Sequence, residues 1–309
     1  MRQVRVGTRR SELAVTQTEW VMNQMEEKLP DSWELIKETI VTRGDQILNV
    51  TLSKVGGKGL FVKEIEQALL DGRIDLAVHS MKDMPGEMSA GLMMGAVSIR
   101  EDPRDCLISR TGATLDQLPE QAVVGTSSLR RQAQVLAYRP DLQVKPVRGN
   151  LNTRWQKLMD GQFDALVLAS AGIARMGWQD RVDQYLSEDV MLPAVGQGAL
   201  AVQCRSDDHE ILKILKSVHH EQTAAAIQAE RSFLHAFEGG CHLPIAGYAT
   251  VTDDQIHLRG LVAHPDGKRI IKGELSGSNG EEVGRLLAEE LTKQGAGDLL
   301  KEVRKGIES

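Results

Sequence analysis

Cysteine is scarce in this sequence: Cys106, Cys204 and Cys241 are the 3 in a chain of 309 residues. They are widely spaced and odd in number, which argues against a disulfide framework, and none forms the CxxC pair of a structural zinc site. Runs of apolar residues long enough to span a membrane are missing. The N-terminus, Met1-Arg2-Gln3-Val4-Arg5-Val6, enters strand alternation without the apolar core of a signal peptide, so a cytoplasmic protein is expected. There is no low-complexity tract. A basic balance is lacking too: 37 Lys and Arg face 43 Asp and Glu, a net charge of -6, which disfavours nonspecific nucleic-acid binding. The Gly56-Gly57-Lys58-Gly59 run lacks P-loop spacing and a preceding buried strand. His219 and His220 are adjacent and so point apart, and no metal site is expected.

What is present is alternation. Val4 to Thr8, Leu35 to Thr42, Ile74 to Val78, Ala122 to Val124 and Leu142 to Val147 read as strands. The spacing predicts helices over Glu12 to Leu29, Leu60 to Leu70, Leu129 to Ala137 and Leu151 to Met159, with Ser11 at an N-cap position. Pro146 puts its strand near an edge or an end. The run Asp160-Gly161-Gln162-Phe163-Asp164 echoes Asp71-Gly72-Arg73-Ile74-Asp75 at the same helix-to-strand junction, a short internal repeat. Such alternation predicts two doubly wound α/β domains with parallel sheets, facing each other across a cleft. Ala199 to Cys204 reads as a strand returning to the first sheet. From about Glu221 the pattern changes to a helix, three strands and two helices, a small α+β domain. The expected boundaries are 1–98 with 198–216, then 103–193, then 220–309.

In doubly wound sheets ligands sit beyond the carboxyl ends of the strands, where helix N-termini offer free N–H groups. Here those ends carry Thr8-Arg9, Ser80 to Lys82, Thr126 to Ser128 and Arg148. An acidic chain with basic loops points to a localised anionic ligand, and Arg130-Arg131 can grip carboxylate or phosphate bidentately. Asp83 follows a buried strand near two methionines and before Pro85, a placement that suits proton transfer or stabilising a cation, although an aspartate before such a turn, taken alone, is more often a turn residue. His79 reads as a packing residue. In Glu238-Gly239-Gly240-Cys241-His242-Leu243-Pro244 a glycine pair supplies the left-handed stop after a helix and Pro244 fixes the exit. Cys241 is thereby a buried small side chain, a nucleophile or a covalent attachment point.

Taken together, Thr8-Arg9-Arg10-Ser11-Glu12-Leu13-Ala14, Gly56-Gly57-Lys58-Gly59-Leu60-Phe61, His79-Ser80-Met81-Lys82-Asp83-Met84-Pro85, Gly125-Thr126-Ser127-Ser128-Leu129-Arg130-Arg131, Arg148-Gly149-Asn150 with Thr153-Arg154, and Gly239-Gly240-Cys241 resemble the porphobilinogen deaminase (hydroxymethylbilane synthase) family. The likeness runs in order over nearly the whole chain, with His242-Leu243 a mild variation. It implies two periplasmic-binding-protein-like domains plus a small domain with a three-stranded antiparallel sheet. It also implies a dipyrromethane cofactor on a thioether at Cys241, four additions of porphobilinogen with loss of ammonia, and hydrolytic release of a linear tetrapyrrole. By the same resemblance Asp83 is catalytic, protonating the leaving amine and stabilising an electron-poor azafulvene. Lys82, Ser128, Arg130 and Arg131 hold the cofactor, and Arg9, Ser11, Arg148, Arg154 and Arg175 hold substrate carboxylates. A loop with Lys54, Lys58 and Phe61 is implied to cover the site. The partner expected is a small molecule, with no nucleic acid, membrane or second subunit. Two other readings share much of this sequence pattern: a two-lobed solute-binding module, which needs no covalent thiol, and a cysteine-nucleophile transferase or hydrolase, which needs a histidine paired with Cys241.

Overall fold

The described residues of the computed structural model are 1–42, 62–238 and 243–308. Lys54, Lys58, Phe61 and the Gly239-Gly240-Cys241-His242 stretch, with the expectations placed on them, lie outside these residues. The chain divides into two compact units, one holding the N-terminal part up to Glu101 together with Gly198–Ala224, the other Asp102–Gln197 and the residues from Ala225 on.

The first unit is built on a sheet of β1 (Arg2–Arg9), β2 (Trp33–Ile40), β3 (Leu76–Ser80), β4 (Leu92–Val97) and β10 (Leu200–Arg205), in the order β2-β1-β3-β10-β4. Helices α1 (Glu12–Glu26), α2 (Lys63–Leu70) and α6 (His209–Leu215) cover it. Period-two alternation decides which face each side chain serves. Leu76 and Val78 join Val21 and Met25 of α1 and Ile211 and Leu215 of α6 in one core, while Ala77 packs with Ile65 and Leu69 of α2 in another. Both faces are therefore buried, as in a doubly wound sheet.

The sheet is mixed, not wholly parallel as expected. The returning strand β10 lies between β3 and β4 and runs antiparallel to both. The chain leaves the sheet after β4 and comes back beside the exit, with Ser98 N donating to Leu200 O at 3.0 Å and Glu101 N to Gly198 O at 3.2 Å. Re-entry at that end permits only the antiparallel direction. Gly198 makes the close pass: its φ is +95°, and a Cβ there would sit 2.4 Å from the Glu101 carbonyl oxygen.

In the second unit, β5 (Asp105–Ser109), β6 (Val123–Gly125), β7 (Gln143–Lys145), β8 (Ala165–Ala169) and β9 (Gln184–Tyr185) take the order β7-β6-β8-β5-β9. Strand β7 stops just before Pro146 and is an edge strand. Strands β6, β7 and β8 are parallel, and β5 is antiparallel to β8 and β9. Helices α3 (Leu129–Tyr138), α4 (Leu151–Met159) and α5 (Ser170–Arg175) follow β6, β7 and β8. Val135 packs on the Leu107 and Val167 face, and Leu158 and Ile173 pack on the Cys106, Leu166 and Leu168 face. The internal repeat has a structural counterpart. Asp71 and Asp160 close α2 and α4, Gly72 and Gly161 take φ of +68° and +75°, and Asp75 and Asp164 accept from Arg5 N and Val123 N, each at 2.8 Å.

The same unit contains a three-stranded antiparallel sheet, β11 (Ile245–Thr252), β12 (Gln255–Ala263) and β13 (Ile270–Gly277). Helices α7 (Glu221–Ala236), α8 (Gly280–Lys293) and α9 (Ala296–Glu308) bury Phe233, Leu287, Leu291 and Leu300 against one face. Ala246, Leu261 and Ala263 of the other face meet Ala133 of α3. At the end of α7 the left-handed conformation, expected of glycine, is taken by Glu238, with φ of 48°. Arg304 of α9 stabilises that end by donating to Phe237 O at 2.6 Å.

Candidate functional site

In the first unit the expected residues gather at the carboxyl ends of β1 and β3. Arg9 is the last residue of β1, and Ser11 caps α1, its hydroxyl accepting from Ala14 N at 3.4 Å. After β3 the chain makes one turn of 3₁₀ helix, Met81–Asp83, tied to the sheet by Met81 N donating to Ala199 O at 3.0 Å. Met81 and Met84 are buried and Pro85 follows, so Lys82 and Asp83 project from a turn nailed down on both sides; Asp83 itself is exposed. Arg9, Gln17, His79, Ser80 and Asp83 line a pocket of about 30 Å³. His79 is buried, and burial takes its imidazole down to about 4.

In the second unit, Ser128, Arg148 and Arg154 come together at the carboxyl ends of β6 and β7. Ser128 caps α3 by accepting from Arg131 N at 3.4 Å, and Ser127 Oγ donates to Val147 O at 2.7 Å, joining the two loops. Gly149 has φ of +110°, and a Cβ on it would lie 2.6 Å from Thr153, so only glycine closes this turn. Asn150 then caps α4, accepting from Thr153 N at 2.9 Å, and Arg154 Nε donates back to Gly149 O at 2.9 Å. Arg148 is half-buried, which lowers its basicity by desolvation. Arg175 ends α5 and so stands one short helix away from the strand ends.

Arg130 and Arg131 face inward. Arg130 Nη1 donates to Asp105 Oδ2 and to Leu192 O, each at 2.7 Å. Arg131 reaches Asp105 Oδ1 through Nε at 3.1 Å and Nη2 at 2.8 Å, and Val167 O through Nη1 at 3.1 Å. Gln197 Nε2 adds a fourth donor to Asp105, 2.9 Å from Oδ1. Asp105 is fully buried; burial alone would raise its carboxyl, and the two guanidiniums outweigh that and hold it far below the usual range. The cluster so described carries two positive charges against one negative.

Sequence reasoning did not find Asp105, Gln197 or Glu230. Glu230, buried in α7, accepts from Gly196 N at 2.7 Å and Ala249 N at 2.8 Å, and so ties the 193–197 segment to β11. The available signal was an acid at the head of an apolar strand, Asp105-Cys106-Leu107-Ile108, and an acid inside the alanine-rich stretch of α7. Cys106 and Cys204 are buried core thiols; burial pushes them up to about 12 and about 11. Among the described residues no cluster of His, Cys, Asp and Glu could hold a metal ion, and no helix is long and apolar enough to cross a membrane.

A family model described as "Porphobilinogen deaminase, dipyromethane cofactor binding domain" matches residues 4–213, and one described as "Porphobilinogen deaminase, C-terminal domain" matches residues 224–293. Three relatives, each named porphobilinogen deaminase, align over nearly their full length. The protein of Geobacillus kaustophilus is 56% identical over 309 residues, covering 99% of this chain and 99% of its own. That of Halalkalibacterium halodurans is 54% identical over 312 residues, covering 100% of both. That of Listeria innocua is 53% identical over 306 residues, covering 98% of this chain and 99% of its own.

Proposed function

The chain belongs to the porphobilinogen deaminase family, and from that membership we propose which of its own residues carry the reaction. The activity is the head-to-tail condensation of four porphobilinogen molecules onto a covalent dipyrromethane primer, with release of the linear tetrapyrrole hydroxymethylbilane. At each addition the C–N bond of the protonated aminomethyl group breaks and ammonia departs with the bonding pair. The new C–C bond replaces a C–H bond at the free α-carbon of the acceptor pyrrole, whose proton is lost, and after four additions water cleaves the product from the primer.

Two observations fit the chain to such a primer. Its carboxylate side arms need cations and hydroxyls, and Lys82, Ser128 and the net positive Arg130-Arg131-Asp105 cluster stand at strand ends. Attachment needs an accessible thiol, and Cys106 and Cys204 are closed off in the core, which leaves Cys241. When bound, the dipyrromethane supplies the free pyrrole carbon to which the first substrate is joined. Arg130 and Arg131 act there through their surplus charge, since donors on both are already engaged by Asp105.

Asp83 carries the proton chemistry at the aminomethyl nitrogen. The observation behind this assignment is its position on a rigid turn, sharing one pocket with Arg9 and Ser80. A carboxylate there stabilises positive charge as it develops when the amine leaves, while Arg9 and Ser11 bind a carboxylate arm. Arg148, Arg154 and Arg175 bind further acetate and propionate groups; each added unit brings two carboxylates, which is why so many cations are needed.

The three sheets support domain boundaries at 1–98 with 198–216, 103–193 and 220–309. The free thiols of Cys106 and Cys204 support a cytoplasmic setting, and we assign a monomer. The test is turnover with porphobilinogen as the sole substrate: one ammonia per porphobilinogen consumed, with Asp83→Asn slowed by about 10²-fold or more. Near-normal turnover in Asp83→Asn would return this residue to the role of a turn former.

A further inference from the structure

A buried polar chain lies behind the Asp83 pocket, on the α2 face of the first sheet. Glu66, 8% exposed, accepts from Gln203 Nε2 at 2.8 Å on Oε1 and from Ser89 Oγ at 2.6 Å on Oε2. With both carboxylate oxygens occupied, the amide of Gln203 has its orientation fixed: nitrogen to Glu66, oxygen away from it. That oxygen, Oε1, is enclosed and has no hydrogen-bond partner among the described residues, and the same is true of His79 Nε2. The two residues are close: β3 and β10 pair with Ala77 opposite Gln203 and His79 opposite Ala201, so both side chains leave the sheet on one face. An enclosed acceptor and an enclosed ring nitrogen in this arrangement satisfy each other only if the nitrogen carries the proton.

We propose that Glu66 and Gln203 fix His79 as its Nε2–H tautomer, leaving Nδ1 as an acceptor that shares with Asp83 the binding of the substrate's primary ammonium head. The proposal rests on the assignment of Asp83 made above. His79, Asp83 and Arg9 line one small pocket of about 30 Å³, with room for a group as small as a water molecule or an ammonium head. A carboxylate and a neutral acceptor beside a guanidinium suit a zwitterion, with –NH₃⁺ on the first two and a carboxylate arm on the third. The ring must be neutral for this, because an imidazolium would repel the ammonium and pair with Asp83. Burial keeps it so and outweighs the opposite pull of Gln203, Asp83 and Glu66, with Arg9 adding the smallest contribution in the same direction as burial. Gln203 and Glu66 act through His79 and are positioning residues, in the manner of an orienting group behind a catalytic imidazole.

The first test reads the wild type itself: ¹⁵N chemical shifts of His79 in the cofactor-loaded protein, assigned by their absence in His79→Asn. A protonated Nε2 with a bare Nδ1 from pH 6 to 8 is expected; an Nδ1–H tautomer or an imidazolium at pH 7 overturns the proposal. The second test is rescue. Asparagine places an acceptor near the Nδ1 position, whereas glutamine reaches only toward Nε2 and phenylalanine offers neither. His79→Asn should keep kcat/KM within about 5-fold of wild type, and His79→Gln and His79→Phe should lose about 30-fold. Gln203→Leu should lose about 10-fold and show a mixture of tautomers. Retention of activity by His79→Phe, or better retention by His79→Gln than by His79→Asn, would overturn the proposal. Asp83→Asn, measured alongside, separates the two claims: if it is inactive while His79→Phe is active, only the His79 proposal falls, and if it is active the Asp83 assignment falls first.

Discussion

Arg130 Nη1 and Asp105 Oδ2 meet at 2.7 Å, with both side chains closed to solvent. Asp105 is also the partner of Arg131, so one carboxylate holds the first turn of α3 to the head of β5. Replacing it with alanine would leave two buried guanidiniums without their counter-charge, which costs about 3–5 kcal/mol. Urea unfolding of Asp105→Ala at pH 7 should show a loss of that order. Because the folded-state carboxyl lies below its unfolded value of about 3.9, the contribution is complete above that pH and declines only as pH falls toward the folded value. The difference between wild type and variant should therefore persist at pH 5; a loss below about 1 kcal/mol would mark the cluster as dispensable.

His79 should impose an acid-side slope on stability. Its imidazole is taken down to about 4 by burial, whereas in the unfolded chain it titrates near 6.5. Between these values the unfolded state binds the additional proton, so stability falls as pH drops from about 6.5 toward 4, by up to about 1.4 kcal/mol per unit. Denaturant titrations at pH 7.5 and 5 should show a smaller difference for His79→Asn than for wild type. Equal differences would place His79 in a more polar setting.

Arg304 should stabilise the end of α7 that leads toward Cys241. Its guanidinium donates to Phe237 O at 2.6 Å, and Glu238 next to it holds a left-handed φ of 48°. Removing a charged donor from helix-terminal carbonyls costs about 1.5–3 kcal/mol. Arg304→Ala is expected to lower unfolding stability by that amount, with Arg304→Lys recovering part of it. An unchanged stability would show that water replaces the guanidinium at no cost.

Local signals in the sequence were read well. Ser11 stands at a helix start as expected, because its side chain meets a free N–H there, and Pro146 limits an edge strand. The repeated Asp-Gly junctions are legible for the same reason, since a helix end and a positive φ are set by adjacent residues. Long-range pairings were not legible. Nothing near Arg130 in the chain signals that Asp105, 25 residues earlier, will take its charge, nor does the sequence of β10 state that it re-enters antiparallel. Strand β4 escaped notice because Leu92 to Val97 shows no polar–apolar alternation and is interrupted by Gly95, which is needed where a Cβ would come 2.8 Å from Cys204 Sγ. The residues around Asp83 were identified by resemblance, and the depth of His79 behind them is a property of packing against α2 and β10.

The central claim is that this chain extends a primer fixed to a single thiol, and the intact mass of the purified protein tests it most directly. Cys106 and Cys204 are buried with thiols pushed up to about 12 and about 11, so neither is a candidate anchor. The wild type should carry an adduct with the mass of two linked pyrroles, retained in Cys106→Ala and Cys204→Ala and lost in Cys241→Ser together with turnover. A fully active wild type with no added mass, or an adduct that survives Cys241→Ser, would contradict the account.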